Sequence, residues 1–399
     1  MKRRILPVIL SLLLTAAFIP LFPAGSAHAA PVTITVYNWG QYISDGSDGY
    51  IDVIKEFEAA YPNIKVNYLT YDSNETMYTK LKTGGASYDV IIPSDYMIEK
   101  LIREDMLLPI NMDNVPNYEL VDDSFRNMSY DPDNMYSIPY TWGYVGLIYN
   151  SRFVNPEDVT GWGVLWNPTY AGKILMFDNC RDAFGIAEAC LGYDVNTEDM
   201  EKLSEARDLL RDQKNLVQAY VMDQIFDKME RAEAWIAPYY AGDYLLMAEV
   251  NEDLEFLAPE EGFNLFVDAM CIPSCCEHKE EAETFINFLC EPEISGPNLE
   301  YLGYSTPIYA AKEYMDEELV NNEIAYPSEE LLEKGVAYKA LSEEGNQLMN
   351  ELWLSVKTDD NQLATYLWIT GIALAAVICI WIILKIRKSR RIARRCTHF

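Results

Sequence analysis

Between residues 32 and 92 the spacing of apolar side chains switches from two to about 3.6 and back, and this alternation restricts the chain to α/β layers. Val32, Ile34 and Val36 alternate with polar neighbours as in a strand. Ile51, Ile54 and Phe57 recur at helical spacing before Pro62 ends the pattern, and Ile64, Val66 and Tyr68 alternate again. A second helix is predicted over residues 74–83, with Asn74 as its N-cap, Met77 and Leu81 on its apolar side and Gly84-Gly85 as its stop. The apolar run 88–92 before Pro93 reads as a strand covered on both faces. Such β-α-β-α-β order implies a parallel sheet, whose ligands gather at the carboxyl ends of the strands. The segments 39–42, 71–74 and 94–96 are the loops placed there.

At 399 residues the chain exceeds one ordinary domain, so two lobes are expected. Its ends read as separate segments. Lys2, Arg3 and Arg4 precede an apolar stretch over residues 5–22 and a small-residue run over 24–30, the pattern of a secretory signal peptide cleaved after Ala29. Residues 363–384 hold no charged side chain over 22 positions, enough for a helix to cross about 30 Å of hydrocarbon. Tyr366, Trp368 and Trp381 suit the interfaces, and the basic tail 385–399 orients the C-terminus to the cytoplasm. The expected location is therefore the extracytoplasmic face of the membrane, in a single-pass topology. Ten of the 31 basic residues lie in these two ends, which carry no acid; the rest of the chain has 21 basic against 62 acidic residues. A net of −41 there disfavours nucleic acid and anionic lipid and favours cations.

Several chemistries lack their residues. The expected ectodomain holds one histidine, His278, at a polar helix start, so neither a histidine triad nor a multi-histidine zinc site can be assembled. No GxSxG, Walker loop or GxGxxG occurs. The turns 45–49 and 131–134 lack the glycine that a calcium loop needs at its sixth position. No enzyme activity, metal or cofactor is therefore expected. Cys180, Cys190, Cys271, Cys275, Cys276 and Cys290 face the oxidising side, as disulfides or buried thiols.

Aromatic residues supply the positive signal, with 28 Tyr, 14 Phe and 8 Trp. Trp39, Tyr42, Tyr96, Trp142, Tyr239, Tyr240 and Tyr304 fall at expected loop tips. Ring faces attract ammonium groups and methylenes, each contact worth about 0.5–2 kcal/mol, and carboxylates fix amine ends.

The segments VYNWGQYI (36–43), YDSNETMYTKLKTGGASYDVIIPSDYM (71–97), SIPYTWG (137–143), LWNPTYAGKILMFDNCRD (165–182), NLFVDAMCIP (264–273), INFL (286–289), EYLGYSTP (300–307) and AYPSEELLEKG (325–335) resemble the bacterial spermidine/putrescine-binding proteins of ABC importers, in that family's order. The resemblance implies the two-lobed periplasmic-binding-protein (type II-like) fold. It assigns residues 31–140 and 268–313 to lobe 1 and residues 141–267 and 314–357 to lobe 2, with crossings near 137–142 and 266–268. It also implies a monomeric ectodomain that delivers a polyamine to permease and ATPase subunits. A membrane-tethered sensor of a small amine, acting through a signalling partner, is the alternative.

By this resemblance Trp39, Tyr42 and Tyr96 match aromatics that sandwich the polyamine, and Ser94 matches a polar contact beside them. Asp268 matches an acid that pairs with an amine, Asp182 stands where the family usually has Glu, and Tyr304 matches a further site tyrosine. Tyr240 and Phe266 occupy positions where Trp is common. Two positions lose charge: Gln41 replaces an acid two residues after Trp39, and Asn179 replaces an Asp. Asp178 and Asp95 are nearby acids able to compensate, and putrescine becomes as suitable a ligand as spermidine.

Overall fold

The computed structural model describes residues 30–358. The signal peptide and the uncharged segment 363–384 with its basic tail lie outside the described residues. Within them, no helix is long and apolar enough to cross a membrane.

The first lobe is built from β1 (Val32–Trp39), α1 (Val53–Ala60), β2 (Ile64–Tyr71), α2 (Asn74–Thr83), β3 (Val90–Ile91) and α3 (Asp95–Arg103). β4 (Ser137–Asn150) then leads into the second lobe, which contains β5 (Ile174–Phe177), α4 (Cys180–Cys190), α5 (Met200–Gln213), β6 (Val217–Val221), α6 (Ile225–Glu230), β7 (Ile236–Tyr240), α7 (Ala241–Val250) and β8 (Leu254–Leu257). β9 (Phe263–Cys271) returns to the first lobe, followed by α8 (Lys279–Leu289) and α9 (Pro292–Leu302). After α10 (Glu317–Val320), α11 (Glu329–Leu332) and β10 (Gly335–Val336), α12 (Glu343–Lys357) packs on the second lobe.

The strand order is β2-β1-β3-β9-β4-β7-β5-β6, with β10 beside β9 and β8 beside β4. β1 and β2 run parallel in register from Val32 opposite Ile64 to Trp39 opposite Tyr71, and β3 lies parallel on the other side of β1. The expected parallel sheet is present. Its three strands end at one edge, which is why the loops after Trp39, Tyr71 and Ile92 converge.

β4 belongs to both lobes. Ser137 to Tyr144 pair with β9, whereas Val145 to Tyr149 pair with β7. A register shift interrupts the β4–β9 pairing between Pro139 and Thr141; proline has no N–H for the ladder, so the interruption falls where pairing is already weakest. Two bodies of apolar side chains flank this crossing. One joins Leu147, Trp162, Phe177, Phe184 and Trp353 in the second lobe. The other covers the two faces of the first sheet, through Ile34, Phe57 and Phe285 on one face and Tyr37, Met77 and Leu101 on the other. The chain then recrosses late: Met315 still packs in the first core, and Tyr338 is in the second.

Local capping departs from the sequence reading at α2. Ser73, not Asn74, is the N-cap, its side chain accepting the Thr76 N–H. Asn74 is the first helical residue and is buried, its Nδ2 donating to the hydroxyl of Ser94, the N-cap of α3, at 3.1 Å. All six described cysteines are free thiols, with Cys180, Cys271 and Cys290 buried.

Candidate functional site

A cleft of about 940 Å³, counted with its solvent-open mouth, lies between the lobes. Trp39, Gln41, Tyr42, Ser94, Tyr96, Asn179, Asp182, Tyr240, Phe266, Asp268 and Tyr304 all line it. Residues 143 positions apart in the chain, Trp39 and Asp182, meet there because the carboxyl ends of the first-lobe strands face the N-terminus of α4 across the gap.

The rings form a continuous wall. Trp39 meets Tyr42 edge-on at 6.4 Å, Tyr42 meets Tyr304 at 5.5 Å, Tyr304 meets Phe266 at 6.4 Å and Phe266 meets Tyr240 at 5.5 Å. Trp39 is held from behind. Trp39 Nε1 donates to Ile92 O at 2.9 Å, and Tyr71 OH donates to the same carbonyl at 2.7 Å. Tyr71 packs on the indole at 4.8 Å between ring centres, so the side toward the cleft is left for a ligand, with the polar edge already satisfied.

Carboxylates are held by hydroxyls along this wall. Tyr42 OH donates to Asp268 Oδ2 at 2.7 Å, while Asp268 Oδ1 is buried with no hydrogen-bond partner among the described residues. Burial raises the Asp268 pKa to about 6, against the pull of the Tyr42 hydrogen bond. Tyr240 OH donates to Asp182 Oδ2 at 2.9 Å. Asn179 is the N-cap of α4: its Oδ1 accepts the Asp182 N–H at 2.8 Å and its Nδ2 donates to Asp182 Oδ2 at 2.7 Å. Both polar atoms of Asn179 are thus spent on orienting Asp182, whose pKa burial raises. Ser94 and Tyr96 are tied together by Asn74 Nδ2, 3.1 Å from each hydroxyl. Gln41 is exposed at the rim, in the left-handed region with φ 46°.

Three acids in the cleft escaped the sequence reading. Asp243 accepts from Tyr304 OH at 3.0 Å, and burial lifts its pKa to about 7. Glu75 accepts from Tyr96 OH at 2.9 Å, its pKa raised by burial and by the Asp182 charge beyond it. Asp223 closes the mouth against Gly40: a β-carbon there would lie 2.7 Å from Asp223 Oδ2. Asp243 sits one helical turn after Tyr240 and Glu75 just after Asn74, so helix phase was the available signal. The compensating acids named from sequence do not enter. Asp178 pairs with Lys357 outside, and Asp95 lines a different cavity. With Asp72 the cleft has six carboxyl side chains, and no Lys, Arg or His appears among the described residues that line it. A solute held there must carry positive charge and an apolar body.

Residues 86–330 match the family described as bacterial extracellular solute-binding protein. The chain belongs to that family. This solute-binding protein is 33% identical to the spermidine/putrescine-binding periplasmic protein of Salmonella typhimurium, over 78% of this chain and 88% of the relative. It is 28% identical to the putrescine-binding periplasmic protein SpuD of Pseudomonas aeruginosa, over 84% and 95%. Among solved structures, the putative spermidine/putrescine ABC transporter from Listeria monocytogenes superimposes with a TM-score of 0.78 at 37% identity, covering 82% of this chain and 99% of that one. The Tp0655 lipoprotein of Treponema pallidum superimposes with a TM-score of 0.71 at 28% identity, covering 81% and 99%. The architecture of this solute-binding protein is accordingly that of a periplasmic binding protein.

Proposed function

We propose that the protein captures a linear polyamine of the putrescine or spermidine class on the extracytoplasmic side of the membrane and delivers it to an ABC importer. The observation that carries this reading is the pairing of an unbroken aromatic wall with six carboxyl side chains and no lining cation among the described residues. Methylenes lie against rings while ammonium groups meet carboxylates, and neither half of such a ligand is satisfied elsewhere on the wall. Asp268 Oδ1, buried and unpaired, is the acceptor whose desolvation an incoming ammonium offsets. The relatives named for spermidine and putrescine support the same class.

Capture proceeds by rotation about the β4 and β9 crossings, which brings Asp182, Asp223, Tyr240 and Asp243 of the second lobe against Trp39, Tyr42 and Glu75 of the first. Like charges from the two lobes then face each other, so closure is favoured when a cation lies between them. The binding role needs no bond cleavage. Residues 363–384 hold the binder at the membrane beside the permease, with the basic tail inside, raising its local concentration.

Isothermal titration of the purified protein with putrescine, cadaverine, spermidine and spermine tests the reading. Saturable binding of one of them without turnover is the expected result. Silence from all four would overturn it.

A further inference from the structure

A second cavity of about 1130 Å³, counted with its solvent-open space, lies behind the crossing strands. Successive side chains of a strand face opposite ways. Asn264 and Asp268 of β9 point into the cleft, whereas Leu265 and Val267 face this second space. Its aromatic side is Trp142, with Phe125 at 5.6 Å and Tyr326 at 6.3 Å, ring centre to ring centre.

The charges in its wall are unequally served. Lys312 Nζ lies 3.7 Å from the centre of the Tyr326 ring, and Asp122 attracts it across the mouth, although burial still lowers its pKa. Its position also shows that this cage accepts an alkylammonium. Asp95 is 4% exposed. Its Oδ1 accepts the Tyr96 N–H at 2.7 Å, and burial lifts its pKa to about 8. Arg181 acts on Asp95 only from a distance, its guanidinium being committed to Val195 O and Asn196 Oδ1, both at 2.7 Å. An acid set in an apolar aromatic wall, with no cation of its own, is the combination that recognises a charged head on a non-polar body.

We propose that this cavity is a second ligand site, taking a small apolar monoamine with its ammonium against Asp95 and its body against the wall of Phe125, Trp142 and Leu332. A polyamine suits it less well, because the other acid of the wall, Asp122, already faces Lys312.

The probe is 2-phenylethylamine, titrated into the full-length protein saturated with putrescine, with neutral 2-phenylethanol as the control. The expected result is saturable binding of the amine that putrescine does not displace and that the alcohol does not match. Asp95→Asn should weaken it by about tenfold or more, the scale of one charge-assisted hydrogen bond. Leu332→Trp, which adds bulk to the cavity wall and leaves the Asp95 carboxyl in place, should abolish it while circular dichroism reports an intact fold. No amine binding at millimolar concentration, displacement by putrescine, or an affinity unchanged in both variants would each overturn the proposal. If the cleft itself takes no putrescine, the same titration without it is decided by the two variants.

Discussion

Tyr42 and Asp268, 226 positions apart in the chain, are joined by a 2.7 Å hydrogen bond from the tyrosine hydroxyl to Oδ2, with Oδ1 of the same carboxylate left buried and unpaired. One lone-pair site is spent on holding the acid in place. The other faces the cleft, and this division gives the first prediction. Asp268→Asn should preserve the fold and the Tyr42 contact yet weaken polyamine binding by about ten- to a hundredfold, since a charge-assisted bond of about 1.5–3 kcal/mol becomes a neutral one. Tyr42→Phe should cost less, because it frees an acceptor that the ligand itself can satisfy. Titration calorimetry on both variants ranks them.

Affinity should depend on pH in a defined direction. Burial holds Asp268 at about 6 and Asp243 at about 7 in the empty protein, and a cation prefers both ionised. Binding should therefore release protons and tighten as pH rises from 5 to 8. Titration at pH 6.5 in two buffers of different ionisation enthalpy reads the proton count; uptake instead of release would contradict the assignment.

The empty fold should respond with the opposite sign. Asp95 and Glu188, both raised to about 8 by burial, join Asp243 and Asp268 in binding protons more tightly folded than unfolded. Their contribution to stability is fully present below the unfolded carboxyl range near pH 4 and is lost as pH rises through about 6 to 8. The rise in melting temperature on adding ligand should then grow with pH, as scanning calorimetry at pH 5.5 and 8 will test.

Two glycines make a paired test of how tightly the cleft is built. A β-carbon on Gly242 would lie 2.6 Å from the Tyr304 ring, whose hydroxyl holds Asp243. On Gly40 it would meet only the movable end of Asp223, at 2.7 Å. Gly242→Ala should weaken binding by about tenfold through displacement of Tyr304, an overpacking cost of about 1–3 kcal/mol. Gly40→Ala should stay within about twofold, as surface changes of about 0.5 kcal/mol do.

Gln41→Glu should raise polyamine affinity, but by no more than about fivefold, because an exposed ion pair is worth only about 0.2–1 kcal/mol. Its effect should fade at high salt. A gain that survives 1 M salt would mean that position 41 is less exposed in the bound form than in the structure described.

Much of the first lobe was legible because its signals are local. Of the apolar positions with period-two or helical spacing, Ile34, Val36, Phe57, Ile64 and Met77 are buried, whereas Val32, Ile51, Ile54, Val66, Tyr68 and Leu81 are half-buried, and β1 is covered on both faces, with Tyr37 buried opposite Ile34. The eleven cleft positions were named from short segments resembling a known family, and the fold brings all of them to one cleft. Asn179 was read as a lost charge, whereas its place as the N-cap of α4 makes it the residue that aims Asp182. That role depends on where a helix begins, to the residue, and the same uncertainty moved the cap of α2 from Asn74 to Ser73.

The sequence by itself determined the α/β alternation, the acidic middle and the supply of rings and carboxyls, because composition and periodicity are properties of the chain alone. Only tertiary structure decided which of many acids count. Asp243, Glu75 and Asp223 enter the cleft while Asp178 and Asp95 turn away, since a carboxylate's role depends on which surface buries it and which hydroxyl it meets. Those contacts join residues far beyond helical or strand spacing, Glu75 to Tyr96 across 21 positions and Asp243 to Tyr304 across 61, and no local period encodes them.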